Sequence, residues 1–135
     1  QEWLAWGDAS KKWTDVLYDY RGYLNTKKIL EGINQGYSFP ACKWCVEYTP
    51  KPTGMTSGWY FPSNDPVGDF ANNATTLNTY LNKVTGSTRI SERYLTSTES
   101  SSDPVTRCTG RLVGDGATYY NLKSNALGVR AILTF

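Results

Sequence analysis

Residues 93–135, RYLTSTESSSDPVTRCTGRLVGDGATYYNLKSNALGVRAILTF, decide how this chain folds. The stretch is rich in Thr, Tyr, Val and Leu. It is cut at short intervals by Ser100-Ser101-Ser102-Asp103-Pro104, Gly114-Asp115-Gly116 and Ser124-Asn125. These residue types make turns: Pro presets φ, Gly accepts positive φ, and Asp, Asn and Ser bond their own backbone. Strands are therefore expected over 94–97, 105–109, 118–122 and 129–135. The last alternates, with Val129, Ala131, Leu133 and Phe135 on one face.

Upstream the periodicity is helical. Asn25 is placed to cap a helix over 26–34, with Ile29, Leu30 and Ile33 on one side and Gly36 ending it. Pro40 opens a second helix at its first position. There Ala41, Trp44, Cys45 and Tyr48 follow the i, i+3, i+4, i+7 rule, and Pro50 and Pro52 stop it. Trp59-Tyr60-Phe61-Pro62 reads as a short aromatic strand. A third helix carries Phe70, Ala74, Leu77, Leu81 and Val84 and stops at Gly86, its first turns weakened by Asn72, Asn73, Thr75 and Thr76. Helices followed by short antiparallel strands give the α+β class, as one domain over 1–135.

With 135 residues the chain can bury a core without staples. Only 19% of residues are charged and mean hydropathy is −0.49, so the surface is largely uncharged and polar. Ten Tyr, with many Ser, Asn and Gly, suit an adaptable binding surface, because Tyr supplies contact area at little entropic cost. A net charge of +2 without a Lys/Arg run argues against a nucleic-acid partner. No apolar run approaches a membrane span, so no direct membrane insertion is expected. The chain begins at Gln1 as an excised or mature fragment would, and is expected to be the C-terminal part of a longer surface protein.

The residue types also bound the chemistry. There is no His, which removes the commonest general base and the Ser-His and Cys-His pairs. Cys42, Cys45 and Cys108 are an odd number, leaving at least one free thiol or a bond to another chain. Cys42-Lys43-Trp44-Cys45 has redox spacing at a helix start. No βαβ unit surrounds it, however, and Cys45 falls on the apolar stripe, so the pair reads as core. Three Cys without His leave zinc one ligand short. The carboxylates Asp15, Asp19, Glu31, Glu47, Asp65, Asp69, Glu92, Glu99, Asp103 and Asp115 are scattered. Asn64-Asp65-Pro66 is similar to a lectin calcium loop, yet turn initiation before Pro explains it and no second ligand cluster accompanies it. Asn73-Ala74-Thr75 is a glycosylation sequon. No catalytic residue, metal or cofactor is expected, and the chain does not read as an enzyme.

Several stretches carry a family resemblance. Trp59-Tyr60-Phe61-Pro62-Ser63 resembles the "W-Y/R-L-P-S/T" box of bacterial C-type-lectin-like domains, namely the "major paralogous" domains and the related C-terminal module of a collagen-like adhesin. Tyr94-Leu95-Thr96-Ser97-Thr98-Glu99 resembles their "Y-W-S-S-T-E" box, and residues 129–135, VRAILTF, resemble the closing "V-R-A-I-L-A-F" strand. Residues 22–29, GYLNTKKI, are similar to a "G-x-x-N-T-x-x-I" segment, and 77–81, LNTYL, to an "I-N-x-x-L" helix. The boxes run in order over 22–135. Two departures stand out. Residues 64–70, NDPVGDF, replace a usual "G-E-L", which would let the third helix begin late, and Leu95 replaces a Trp.

The resemblance implies a C-type-lectin-like fold: two to three helices on short twisted antiparallel sheets, without calcium. It implies ligand or receptor binding by a bacterial surface adhesin or a phage receptor-binding protein, extracellular or on a cell surface or phage particle, with a protein or glycan partner. Some members are variable proteins of diversity-generating retroelements, mutagenised after the S-T-E box. The expected contacts are accordingly Ser100, Ser101, Asp103, Arg107, Thr109, Arg111, Asp115, Thr118, Tyr119, Tyr120, Ser124, Asn125 and Leu127, with only one of the adjacent tyrosines facing outward. Trp59 is expected in the core, and Arg130 is expected to pair with Glu99. The alternatives are a structural terminal domain of a fimbrial or lipoprotein chain and a catalyst like the formylglycine-generating enzymes. Because no residue set calls for a metal, EDTA should leave the melting temperature unchanged. A bound ion would stabilise by linkage and its removal would lower it by several degrees.

Overall fold

A computed structural model describes residues 1–14, 16, 20–49, 53–54 and 57–134. Asp15, Asp19, Pro50, Pro52 and Phe135, named above, lie outside the described residues. The chain is α+β. Strand β1 (Glu2–Ala5) precedes helices α1 (Gly22–Asn34), α2 (Pro40–Glu47), α3 (Asn64–Asn72) and α4 (Ala74–Leu81). Strands β2 (Arg93–Glu99), β3 (Arg107–Leu112), β4 (Thr118–Leu122) and β5 (Ala126–Val129) follow. The five strands form one mixed sheet in the order β1-β5-β2-β3-β4. All neighbours are antiparallel except β2 and β5, which touch at Tyr94 and Gly128.

Helix α1 starts earlier than its polar residues suggest. Asn25 does not cap it. The residue is buried in the first turn, and its amide donates to Ser97 Oγ at 3.2 Å. The start is set by packing instead, with Gly22 lying against the backbone of Pro62 and Ser63. Thr26 Oγ1 accepts from Phe61 N–H at 3.0 Å, tying the helix to the same segment. The other end is a Schellman motif: Gly36 N–H reaches Ile33 O, Tyr37 N–H reaches Gly32 O, and Gly36 takes φ +93°.

Helix α2 begins at Pro40 and buries Ala41, Cys42 and Cys45; Tyr48 lies just beyond its end. The expected third helix is two. α3 begins at Asn64, immediately after Ser63, because Pro66 sits in a first turn whose N–H groups have no intrahelical partner. The break falls at Asn73, whose side chain and backbone N–H both donate to Asp69 O. That competition from an Asn side chain, within a run of weak helix formers, divides the stretch.

Tyr94 and Leu95 are consecutive in β2 and point to opposite faces of the sheet. On one face Leu95 joins Trp6, Ile29, Phe39, Cys42, Cys45, Phe61, Cys108 and Val129 beneath α1 and α2. On the other, Tyr94 joins Val67, Ala74 and Ile90 beneath α3 and α4. Of the aromatic segment before α3, Phe61 is the fully buried ring, whereas Trp59 is only half-buried and packs edge-on against Tyr48 at 5.1 Å. Trp59 is therefore not the core residue it was expected to be. Nor is that segment a strand: Tyr60 makes an isolated bridge to Ile132. The closing strand likewise ends at Val129, since the chain leaves the sheet there to reach Tyr60.

The carboxylate of Glu99 is fully buried, and its cation is Lys123 rather than Arg130. Lys123 Nζ lies 2.6 Å from Oε1, with both side chains inaccessible to solvent. Backbone N–H groups of Trp13 and Thr14 donate to the same carboxylate at 2.9 Å. Lys123 also donates to Lys11 O and lies 4.5 Å from the Trp6 ring centre. Arg130 turns away and donates to Thr88 O at 2.7 Å. Removing one partner of a buried pair strands the other charge. Glu99→Gln and Lys123→Met should each cost about 3–5 kcal/mol in urea unfolding, and the double variant clearly less than their sum.

Candidate functional site

Among the described residues after Glu99, Cys108 and Val129 belong to the buried hydrophobic clusters, and Val113, Leu127 and Ala131 pack against them. The exposed side chains of the segment serve no core. The β3–β4 register decides how they are arranged. Arg107 pairs with Leu122, Thr109 with Tyr120 and Arg111 with Thr118, so these six share one face. Cys108, Gly110, Tyr119 and Asn121 share the other.

This settles the tyrosines. Tyr119 lies so close over Gly110 that a Cβ there would sit 2.8 Å from its ring, and the Arg93 guanidinium lies 5.0 Å from the ring centre. Tyr120 faces outward and is exposed.

At one end of the hairpin the β2–β3 loop meets the β4–β5 turn, joined by the bond from Lys123 N–H to Thr106 O. This end forms a rim. Ser101, Arg107, Ser124 and Asn125 are exposed on it and Asp103 is half-buried. Asp103 accepts from the Thr106 hydroxyl and N–H, which hold its carboxyl below the usual range, and Arg107 stands 4.0 Å away. Tyr120 and Leu122, more than 40% exposed, provide the apolar part. Leu122 was not anticipated. Its only signal is the register that sets it opposite Arg107, which requires knowing where β3 begins.

Other expected contacts lie elsewhere. Ser100 and Thr109 are fully buried and cannot meet a ligand. Ser100 Oγ accepts from Asp103 N–H, and Thr109 Oγ1 bonds Thr96 Oγ1 and Thr98 O. Arg111 is tied inward: Nε donates to Asn64 O, NH1 to Gly116 O, and NH2 stands 3.6 Å from Asp65. Thr118 is half-buried near the Asn64 amide. Asp115 is exposed in the β3–β4 turn, at the opposite end of the hairpin, where it caps Ala117 N–H. Leu127 pairs with Leu4 on β5 and packs against the core. The structure thus brings Ser101, Asp103, Arg107, Tyr120, Ser124 and Asn125 together and leaves the rest of the set outside.

Among the described residues no three His, Cys, Asp or Glu side chains converge as a metal site would require, and no helix is long and apolar enough to cross a membrane. No family model, curated protein or solved structure matches the chain.

The cysteines are free and fully buried. Burial pushes Cys42 and Cys108 up to about 12, and Cys45 well above its ordinary value. At pH 8 a thiol at that value is only about one part in 10⁴ thiolate, the form that reacts. A thiol-titrating disulfide reagent should therefore find none of the three in native protein within minutes and all three in denaturant.

Proposed function

We propose that this chain is a ligand- or receptor-binding module with a C-type-lectin-like fold, carried by a bacterial surface adhesin or a phage receptor-binding protein. It binds a protein or glycan through the rim formed by Ser101, Asp103, Arg107, Tyr120, Leu122, Ser124 and Asn125. One observation carries the reading: this rim sets an arginine beside exposed Tyr120 and Leu122, amid small polar side chains that serve no core. Aromatic and Arg anchors supply most of the energy at interfaces, and small polar groups adapt around them.

Two features support the finer fold. β1 pairs with β5, bringing residues from opposite ends of the sequence side by side. Three of the five segments that carry the resemblance also touch, through the Tyr60–Ile132 bridge and the bond from Ser97 N–H to Pro62 O. A buried framework that continues past Glu99 through Cys108, Lys123 and Val129, with exposed rim residues between these positions, is also the division that diversification by a retroelement would need. The buried, protonated thiols speak against cysteine catalysis.

Two measurements test the reading. Replacing Ser101, Arg107, Tyr120, Leu122, Ser124 and Asn125 together should leave the melting temperature within a few degrees, as surface changes are each worth within about 0.5 kcal/mol. The same variant should lose retention of the labelled domain on a panel of bacterial and epithelial cells. A control set on the exposed side of α1 (Tyr23, Leu24, Lys27 and Glu31) should keep it. Loss of retention in the control but not in the rim variant rejects the assignment.

A further inference from the structure

A second site lies away from the rim and shares no residue with it. Trp44, Tyr48 and Trp59 line a cleft of about 210 Å³ together with Gln1, Leu81, Thr88 and Arg130. The rings are held in place by one another. Trp44 and Tyr48 are 5.1 Å apart between ring centres, and Tyr48 meets Trp59 edge-on at the same distance.

Arg130 is the anomaly. Its guanidinium makes one hydrogen bond, from Nη2 to Thr88 O; Nε is buried with no acceptor, and among the described residues nothing accepts from Nη1. Among the described residues no carboxylate pairs with it: Asp65 serves Arg111, Asp103 serves Arg107, and Glu99 is taken by Lys123. A guanidinium that lines a cleft with Nη1 unbonded and no carboxylate beside it has donors to offer an acidic ligand. The planar fork of Arg matches a carboxylate with two parallel bonds, which strengthen where aromatic walls exclude water. The walls themselves offer ring faces and edges suited to a flat apolar body. The volume is below that of drug-sized pockets and matches one ring with a short acidic arm.

We propose that this cleft binds a small organic carboxylate bearing a single ring, with the carboxylate on Arg130 and the ring against Trp44 and Trp59. The site does not depend on the rim being a receptor-binding surface, and its test uses none of the rim residues.

The test titrates wild-type protein with phenylacetate, 2-phenylacetamide and acetate, following indole N–H resonances by NMR. Phenylacetate should saturate, shift the Trp44 and Trp59 indole signals, and bind at least about tenfold tighter than the neutral amide or ring-free acetate. Arg130→Met should weaken phenylacetate at least about tenfold with an unchanged melting temperature, and Trp59→Ala should weaken it severalfold. No saturation by about 10 mM overturns the proposal, as does equal affinity for acid and amide. Shifts confined to other tryptophans overturn it as well. The acid–amide comparison needs no variant, so it decides even if Arg130→Met fails to fold.

Discussion

Two full charges lie inside this molecule with no access to water, and the rest of the structure is arranged so that they can. The Glu99 carboxylate and the Lys123 ammonium would each cost several kcal/mol to bury alone. Their burial requires Trp13 and Thr14 to present their N–H groups, Lys11 its carbonyl, and Trp6 its ring face. The partners all lie in the N-terminal segment, whereas Glu99 ends β2 and Lys123 follows β4, so three stretches distant in sequence must meet. Any arrangement that misses one partner leaves a charge uncompensated. The pair therefore acts mainly by penalising alternatives, and it holds the base of the rim where Ser124 and Asn125 emerge.

The same logic explains a central strand that looks too polar for its place. From Tyr94 to Glu99 every residue of β2 is buried, and four of the six are Thr, Ser or Glu. Each has a partner. Thr96 bonds Thr109 and its carbonyl accepts from Trp6; Ser97 meets Asn25; Thr98 Oγ1 accepts from Asn64 N–H. Helix pairs cover both faces of this strand, and exposed side chains are left to the hairpin at the sheet's edge, where the proposed rim lies.

These internal polar bonds also mark where the sequence stops being legible. β4 and α2, along with the turns bounding β3 and β4, can be read directly, because Pro40, the glycines around Asp115 and apolar residues at helical spacing act locally. Ser100 and Thr109 cannot be told from surface residues, since a buried hydroxyl carries no hydropathic signature. Leu127 follows closely on the polar turn at Ser124 and Asn125, and its inward place is fixed by pairing with Leu4. The choice of Lys123 over Arg130 as the partner of Glu99 is tertiary, and no spacing rule ranks two cations in the same terminal stretch. Trp59 and Phe61 differ by two positions in an aromatic run, and which one is buried depends on how Thr26 holds that run.

The pairing of β1 with β5 has a kinetic side. Glu2 is opposite Val129 and Ala5 opposite Ala126, so this edge of the sheet closes a loop of nearly the whole chain. Loop closure of that length carries a large entropic cost that must be met before any contact rewards it. Strand pairings this distant in sequence slow folding. During synthesis residues 2–5 wait unpaired until the last strand has emerged. Helices α1 and α2 can form long before that, but the cluster around Trp6 is complete only when Leu95 and Val129 join it.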